Sequence, residues 1–301
     1  MEQKSTETGR KDEGGRTKGK RRRVRLTDIA ILLVFLAGLS IMLYPMVSDY
    51  INRIQVERAL SSYERTVREV SKEDYSAIFA AARDYNRRLK EGPSAFSVGN
   101  RTEGYEETLR VGPSGIMGYV TIEKIRVRLP FYHGTEEDVL QTAIGHLEGS
   151  SLPVGDQGEH AVLSAHRGLP SAKLFTDLPE LGIGDIFTVT VLDREMFYEV
   201  DQVLTVLPDS EEAFAALRPV PGEDLVTLMT CTPYGVNTHR LLVRGHRTAD
   251  RERAEENGNN SGAGSEAGRS FDRYIPYVAV AAVVIFLILM FAPVKKKKRG
   301  K

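Results

Sequence analysis

Two uninterrupted apolar runs constrain this chain more than any other feature. Residues 29–48 read IAILLVFLAGLSIMLYPMVS and residues 274–294 read YIPYVAVAAVVIFLILMFAPV, and neither run carries a charge. A helix rises about 1.5 Å per residue, so ~20 such residues cross a hydrocarbon core of roughly 30 Å. The first run is longer than the apolar region of a signal peptide and lacks a clear small-residue cleavage site, which predicts a retained anchor. Tyr274 and Tyr277 stand at one edge of the second run, where aromatic side chains favour the membrane interface.

Charge gives the spans a direction. The formal net charge is +0, yet residues 1–26 hold ten Lys/Arg against four Asp/Glu, and residues 294–301 hold six Lys/Arg and no acid. The middle of the chain is therefore acidic. Lys18, Lys20, Arg21, Arg22, Arg23 and Arg25 precede the first span; Lys295, Lys296, Lys297, Lys298, Arg299 and Lys301 follow the second. Basic flanks stay cytoplasmic. The sequence thus predicts a two-pass protein of the cell membrane, with both termini cytoplasmic and residues 49–273 extracellular. The placement of the basic runs against the spans argues against a nucleic-acid partner.

Between the spans the pattern changes twice. Over residues 49–90 apolar positions recur at helical spacing (Ile51, Ile54, Val56, Leu60) among charges, which predicts a helical stalk or helix pair leading away from the bilayer. Residues 91–114 are rich in Gly, Pro and Ser and read as a loop. From about 115 onward, short β segments dominate. Ile125, Val127 and Leu129 alternate with Arg126 and Arg128, and further strands are expected at Ala161–Ala165, Ile186–Val191, Met196–Val206, Leu225–Thr230 and Arg240–Arg244. Short helices are expected at Glu136–Ile144, Ala172–Leu178 and Glu211–Leu217. Many short strands separated by turn residues favour a closed barrel. Residues 248–273 lack apolar anchors and read as a flexible linker. The expected fold class is mainly β: a closed β-barrel with short helices, preceded by a helical N-terminal extension and flanked by two transmembrane helices.

The chain has one cysteine, Cys231, so no internal disulfide supports the fold. A lone cysteine is commonly an inert core residue. This one closes an apolar run, Leu225–Thr230, just before the turn residues Pro233 and Gly235. His166 leaves a second run, Ala161–Ala165, in the same way. Two strand ends thus offer a thiol and an imidazole, although 65 positions separate them. A thiol attacks as the thiolate and needs a base or a cationic neighbour. Arg240 opens the strand after the Cys231 turn, where its guanidinium suits either an oxyanion or an ordinary strand edge. His239 should face the opposite side. His133, His146, His160 and His246 are expected to be structural or solvated. The six histidines are scattered, no metal-ligand spacing or Gly-rich phosphate loop is evident, and no cofactor is expected.

These residues carry a resemblance. Thr227-Leu-Met-Thr-Cys231 is similar to the Thr-Leu-x-Thr-Cys signature of sortases. The stretches Cys231–Gly245, Gly115–Tyr119, Leu129–Gly134, Gly145–Gly155 and Leu163–Thr176 resemble, in order, class C, pilin-polymerising sortases. The similarity runs over about residues 115–247. It implies a sortase-type barrel and a cysteine transpeptidase, with Cys231 as nucleophile, His166 as acid/base and Arg240 at the oxyanion. The implied partners are secreted pilin or surface proteins with LPXTG-like sorting signals. The thiolate would attack the Thr carbonyl of the signal, and a pilin lysine amine would resolve the thioester. A wall-anchoring sortase using a peptidoglycan amine, or a hydrolytic cysteine peptidase, would use the same groups. Class C members commonly carry an Asp-Pro-aromatic lid; here the loop reads Gly92-Pro93-Ser94-Ala95-Phe96, without the Asp, so Pro93 and Phe96 are candidate lid residues only. The implied organisation is a cytoplasmic tail (1–28), a span (29–48), the extension and lid loop (49–114), the catalytic barrel (115–247), a linker (248–273), a second span (274–294) and a second cytoplasmic tail (295–301).

Overall fold

A computed structural model describes residues 26–70, 72–92 and 103–249. In chain order the elements are α1 (Leu26–Glu69), α2 (Lys72–Glu91), β1 (Gly118–Ile122), β2 (Val127–His133), α3 (Glu137–Leu140), β3 (Ile144–His146), β4 (Glu159–Ser164), β5 (Ile186–Val191), β6 (Arg194–Val206), α4 (Glu211–Ala216), β7 (Asp224–Thr232) and β8 (His239–Thr248). The strands close into a barrel in the order β1-β2-β3-β4-β7-β8-β6-β5.

Strand direction decides where chemistry can sit. β4 and β7 pair in parallel, from Glu159 opposite Asp224 to Ser164 opposite Met229. Parallel neighbours require a crossover, here supplied by β5, β6 and α4. Both strands therefore begin at one pole of the barrel and end at the other. β8 runs back antiparallel to β7 and starts where β7 ends.

Side-chain alternation divides the two faces. Ala161, Leu163, Val226, Leu228, Leu241 and Val243 join the main core inside the barrel. Val162 and Leu242 form a smaller cluster on the outer face with Val206, Ala213 and Leu217, against which Met229 packs. α4 covers this patch, and the Ser210 hydroxyl caps it by accepting the Ala213 N–H at 3.1 Å.

The helical extension is a pair of helices, one of the two forms expected, and it docks on the barrel. Val56, Leu60, Tyr63 and Val67, spaced four, three and four apart, are all buried. Each such burial contributes ~1.5–3 kcal/mol. α2 buries Phe79, Ala82, Tyr85 and Leu89 and crosses the pole where β4 and β7 begin. There Asn86 donates to the Leu152 carbonyl at 3.0 Å and accepts its N–H at 2.8 Å. Arg83 meets Asp156 at 2.6 Å.

Local expectations differ from the structure at three places. Ile125 lies in a 3₁₀ turn and Arg126 takes φ 54°, so the strand begins at Val127. Glu136–Ile144 contracts to the single turn of α3. The segment Ala172–Leu178 is mostly turn and enters a 3₁₀ helix only at Leu178, because Leu174 adopts φ 40°, outside helical space. Residues 103–111 are turns and irregular backbone, as the loop reading expected, and they place Tyr105, Leu109 and Val111 in the core. Among the described residues one helix, α1, is long and apolar enough to cross a membrane. The second run, 274–294, the C-terminal tail, residues 1–25 of the N-terminal tail, nearly all of the linker 248–273 and the candidate lid residues Pro93 and Phe96 lie outside the described residues.

Candidate active site

The backbone brings the three candidate residues to one place. Cys231 and Arg240 are direct partners in the β7–β8 ladder. Cys231 lies within β7 and does not close it. Extending the β4–β7 register by two residues beyond Ser164 and Met229 sets His166 beside Cys231. The extension is hydrogen-bonded: Ala165 N–H donates to the Met229 carbonyl at 3.1 Å, and the Thr230 hydroxyl donates to the Ala165 carbonyl at 2.7 Å.

Alternation then decides the face. Cys231 is two residues past Met229, His166 four past Val162 and Arg240 two before Leu242, all of the outer-face set. The thiol, the imidazole and the guanidinium therefore share the outer face of the β4–β7–β8 floor. Directly opposed residues hold their Cβ atoms ~4.5–5.5 Å apart. Cys231 is partly exposed and so is not a fully buried core residue. His239 falls on the other face by the same alternation, as expected.

Neighbouring bonds hold this geometry. The His166 carbonyl accepts Phe175 N–H at 3.1 Å, closing the loop that carries the imidazole. Arg167 donates to the Thr232 hydroxyl at 3.1 Å and to the Thr176 carbonyl at 3.2 Å, lashing the His166 loop to the end of β7. Its guanidinium carbon also lies 5.8 Å from the centre of the Tyr234 ring. Gly168, at φ +79°, passes so close under that ring that a Cβ would sit 3.0 Å from it. The Arg240 guanidinium rests on the carbonyls of Asn237 (3.4 Å) and His239 (3.2 Å), at the rim of the floor.

Three neighbours went unassigned in the sequence. Glu137, on α3, places Oε2 3.4 Å from His166 Nε2. No spacing rule links residues 29 apart across a strand, so only the folded chain reveals this contact. Arg167 and Thr230 were legible in principle: each is a polar residue flanking a candidate site residue at a strand end.

The other histidines divide as burial dictates. His146 is buried, and desolvation lowers its pKa to about 4; its ring nitrogens face the Tyr105 hydroxyl (2.9 Å) and the Ser151 carbonyl (2.9 Å). Desolvation also lowers His160 to about 4, between the Arg218 carbonyl and the Thr227 hydroxyl. Both are structural. Among the described residues no group of three His, Cys, Asp or Glu is placed to hold a metal ion.

Comparison with known proteins agrees with this geometry. The sortase domain family matches residues 120–248. Sortase C1 from Streptococcus agalactiae is 49% identical, over 64% of this chain and 98% of that one, with a TM-score of 0.59. Streptococcus pneumoniae sortase C is 42% identical, over 62% and 95%, with a TM-score of 0.56. Among curated proteins, Bacillus subtilis sortase D is 31% identical over 133 residues, spanning 43% of this chain and 63% of that protein. Bacillus anthracis sortase A is 24% identical over 222 residues, 73% of this chain and 94% of that protein. A parallel strand pair delivering Cys231 and His166 to one face of a closed barrel, together with this likeness, places the chain in the sortase family of cysteine transpeptidases, as a class C member.

Proposed function

We propose that Cys231 is the nucleophile, His166 the acid/base and Arg240 the oxyanion stabiliser of a pilin-joining transpeptidation. The Cys231 thiolate attacks the Thr carbonyl of an LPXTG-like signal, and the carbonyl becomes a tetrahedral oxyanion beside the Arg240 guanidinium. The Thr–Gly bond breaks, His166 gives a proton to the departing amine, and a thioester forms on Cys231. A pilin lysine amine then attacks the thioester and loses a proton to His166. An isopeptide bond forms, and the Cys231 thiolate and the protonated His166 are restored.

The observation that carries this reading is the direct pairing of Cys231 with Arg240, with the segment that leads to His166 hydrogen-bonded to the strand that holds Cys231. The reading extends to topology: residues 29–48 and 274–294 span the cell membrane, the barrel lies outside, and both termini are cytoplasmic. The boundaries at residues 28, 48, 114, 247, 273 and 294 belong to the same reading.

Mass spectrometry of the protein mixed with a sorting-signal peptide tests it. A thioester on Cys231 is expected, and its absence would refute the chemistry. Incubation with pilin subunits then separates the acceptors: a covalent ladder supports lysine transfer, a single wall-linked product supports a peptidoglycan amine, and free acid supports hydrolysis. Covering of the site by Pro93 and Phe96 is tested by the rate of Cys231 alkylation in Phe96→Ala. Faster modification supports a lid, and an unchanged rate removes it.

A further inference from the structure

The pole of the barrel that carries Cys231 faces the same way as the apolar half of α1. Asp49 is the first charged residue after the run 29–48. Its Oδ1 accepts the backbone N–H of Lys173 at 2.9 Å. Lys173 belongs to the loop that leaves β4 through His166, so the first turn of α1 beyond the apolar run is bonded to the active-site loop.

Fourteen residues further along α1, the Tyr63 hydroxyl donates to the Met117 carbonyl at 3.2 Å and accepts Leu192 N–H at 2.9 Å. Met117 precedes β1 and Leu192 follows β5, both at the pole opposite the site. That stretch of helix rises ~21 Å, about the length of a barrel strand. α1 thus runs down the barrel from the active pole to the far pole, and its apolar half projects beyond the active pole. Pro45, the proline within α1, lies on the apolar side of Asp49, so a bend there tilts the span without touching the Lys173 contact.

Exposed apolar side chains stand at this same pole. Tyr234 (59% exposed) and Val236 (63%) form the β7–β8 connection, and Leu207 (56%) follows Val206, the β6 partner of Arg240. Arg167 lies beside Tyr234. An aromatic ring, aliphatic tips and a guanidinium are the groups that settle at a membrane interface.

We propose that the active pole of the barrel rests on the surface of the bilayer that α1 crosses, with Tyr234, Val236 and Leu207 in the headgroup layer. The proposal depends on α1 being a membrane span, and its committed partner is the lipid surface. The site is then held at headgroup depth by a rigid helix, and peptide reaches Cys231 along the membrane.

The full chain, with Cys231→Ala so that one label can be placed at a time, is reconstituted into phosphatidylcholine and phosphatidylglycerol vesicles. A bimane fluorophore is attached in turn at Ile41→Cys, Leu207→Cys, Val236→Cys and Val220→Cys. Val220 lies just before β7, at the far pole. Quenching by a headgroup nitroxide should be about twofold or more stronger at 207 and 236 than at 220, because interfacial groups sit within ~5–10 Å of the headgroup boundary. Equal quenching at the two poles, with the 41 label quenched by an acyl-chain nitroxide, overturns the proposal and leaves the span intact. A 236 label that ignores lipid nitroxides but is shielded by a sorting-signal peptide overturns it in favour of substrate. A 41 label that no lipid nitroxide reaches removes the span and the proposal together.

Discussion

Cys231 and Arg240 face each other across the β7–β8 ladder, one step before the connection that joins the strands. The ladder fixes both backbones, so the two side chains leave directly paired positions on one face of the sheet. The carbonyls that anchor the Arg240 guanidinium belong to Asn237 in that connection and to His239, the first residue of β8. A preformed cation at that position needs little reorganisation when negative charge develops on a substrate oxygen.

Arg240→Lys should therefore lose activity although charge is kept. A lysine offers a point charge where the planar fork can hold a backbone carbonyl and an oxyanion together. Loss of one oxyanion donor typically costs on the order of 10²–10³-fold in kcat, so a fall of that size is expected with folding unchanged. Steady-state kinetics with a sorting-signal peptide provides the check, and near-normal turnover would remove Arg240 from the reaction.

Thr230 ties the two strand ends together through its bond to the Ala165 carbonyl. Thr230→Val keeps the shape and leaves that buried carbonyl without its donor, at a cost of ~1–3 kcal/mol. The melting temperature should fall. The rate of thioester formation should fall further than alkylation of Cys231 by a small reagent, because the imidazole is displaced while the thiol stays accessible. Equal effects on the two rates would count against a tie between the residues.

Much of this site was legible because the chemistry sits at the ends of apolar runs. The runs ending near Ala165 and Thr230 are β4 and β7, and His166 and Cys231 follow from them. The parallel pairing that joins them was hidden, because two strands more than 60 residues apart leave no local signal of being neighbours. The Leu174 turn was missed for a different reason: Ala172–Leu178 has helix-compatible composition, and packing of Leu174 and Phe175 into the core overrides it. β1 and β3 are too short, at five and three residues, to show periodicity.

At the far pole Glu159 and Asp224 are paired residues in the parallel ladder. Burial raises Glu159 from 4.5 to about 7, with Lys90 at 3.7 Å opposing the shift, and raises Asp224 from 3.8 to about 6. A raised acid pKa means that the folded state holds its proton more tightly than the unfolded chain. Glu159 therefore takes nothing from stability below about pH 4.5, and stability declines as pH rises from there to about 7. Glu159→Gln should flatten that decline and raise stability at pH 8 by ~1–3 kcal/mol. Urea titrations at pH 4.5 and pH 8 decide it: a variant no more stable than the parent at pH 8 would show that Lys90 already neutralises the carboxylate.

Glu137 meets His166 from α3 at 3.4 Å, and the obvious expectation is that it governs the imidazole. Its exposure argues for a small effect. The Glu137 side chain is 71% accessible, and an ion pair so open to water and salt contributes ~0–1 kcal/mol. Its second oxygen is also shared with the Gln141 amide. Glu137→Gln should therefore lower kcat/KM by no more than about fivefold, and the difference should shrink as salt rises. A pH–rate profile in low and high salt separates the cases. A loss above about a hundredfold that salt does not diminish would mean that substrate closes over Glu137 and that the carboxylate orients His166 in a dry site.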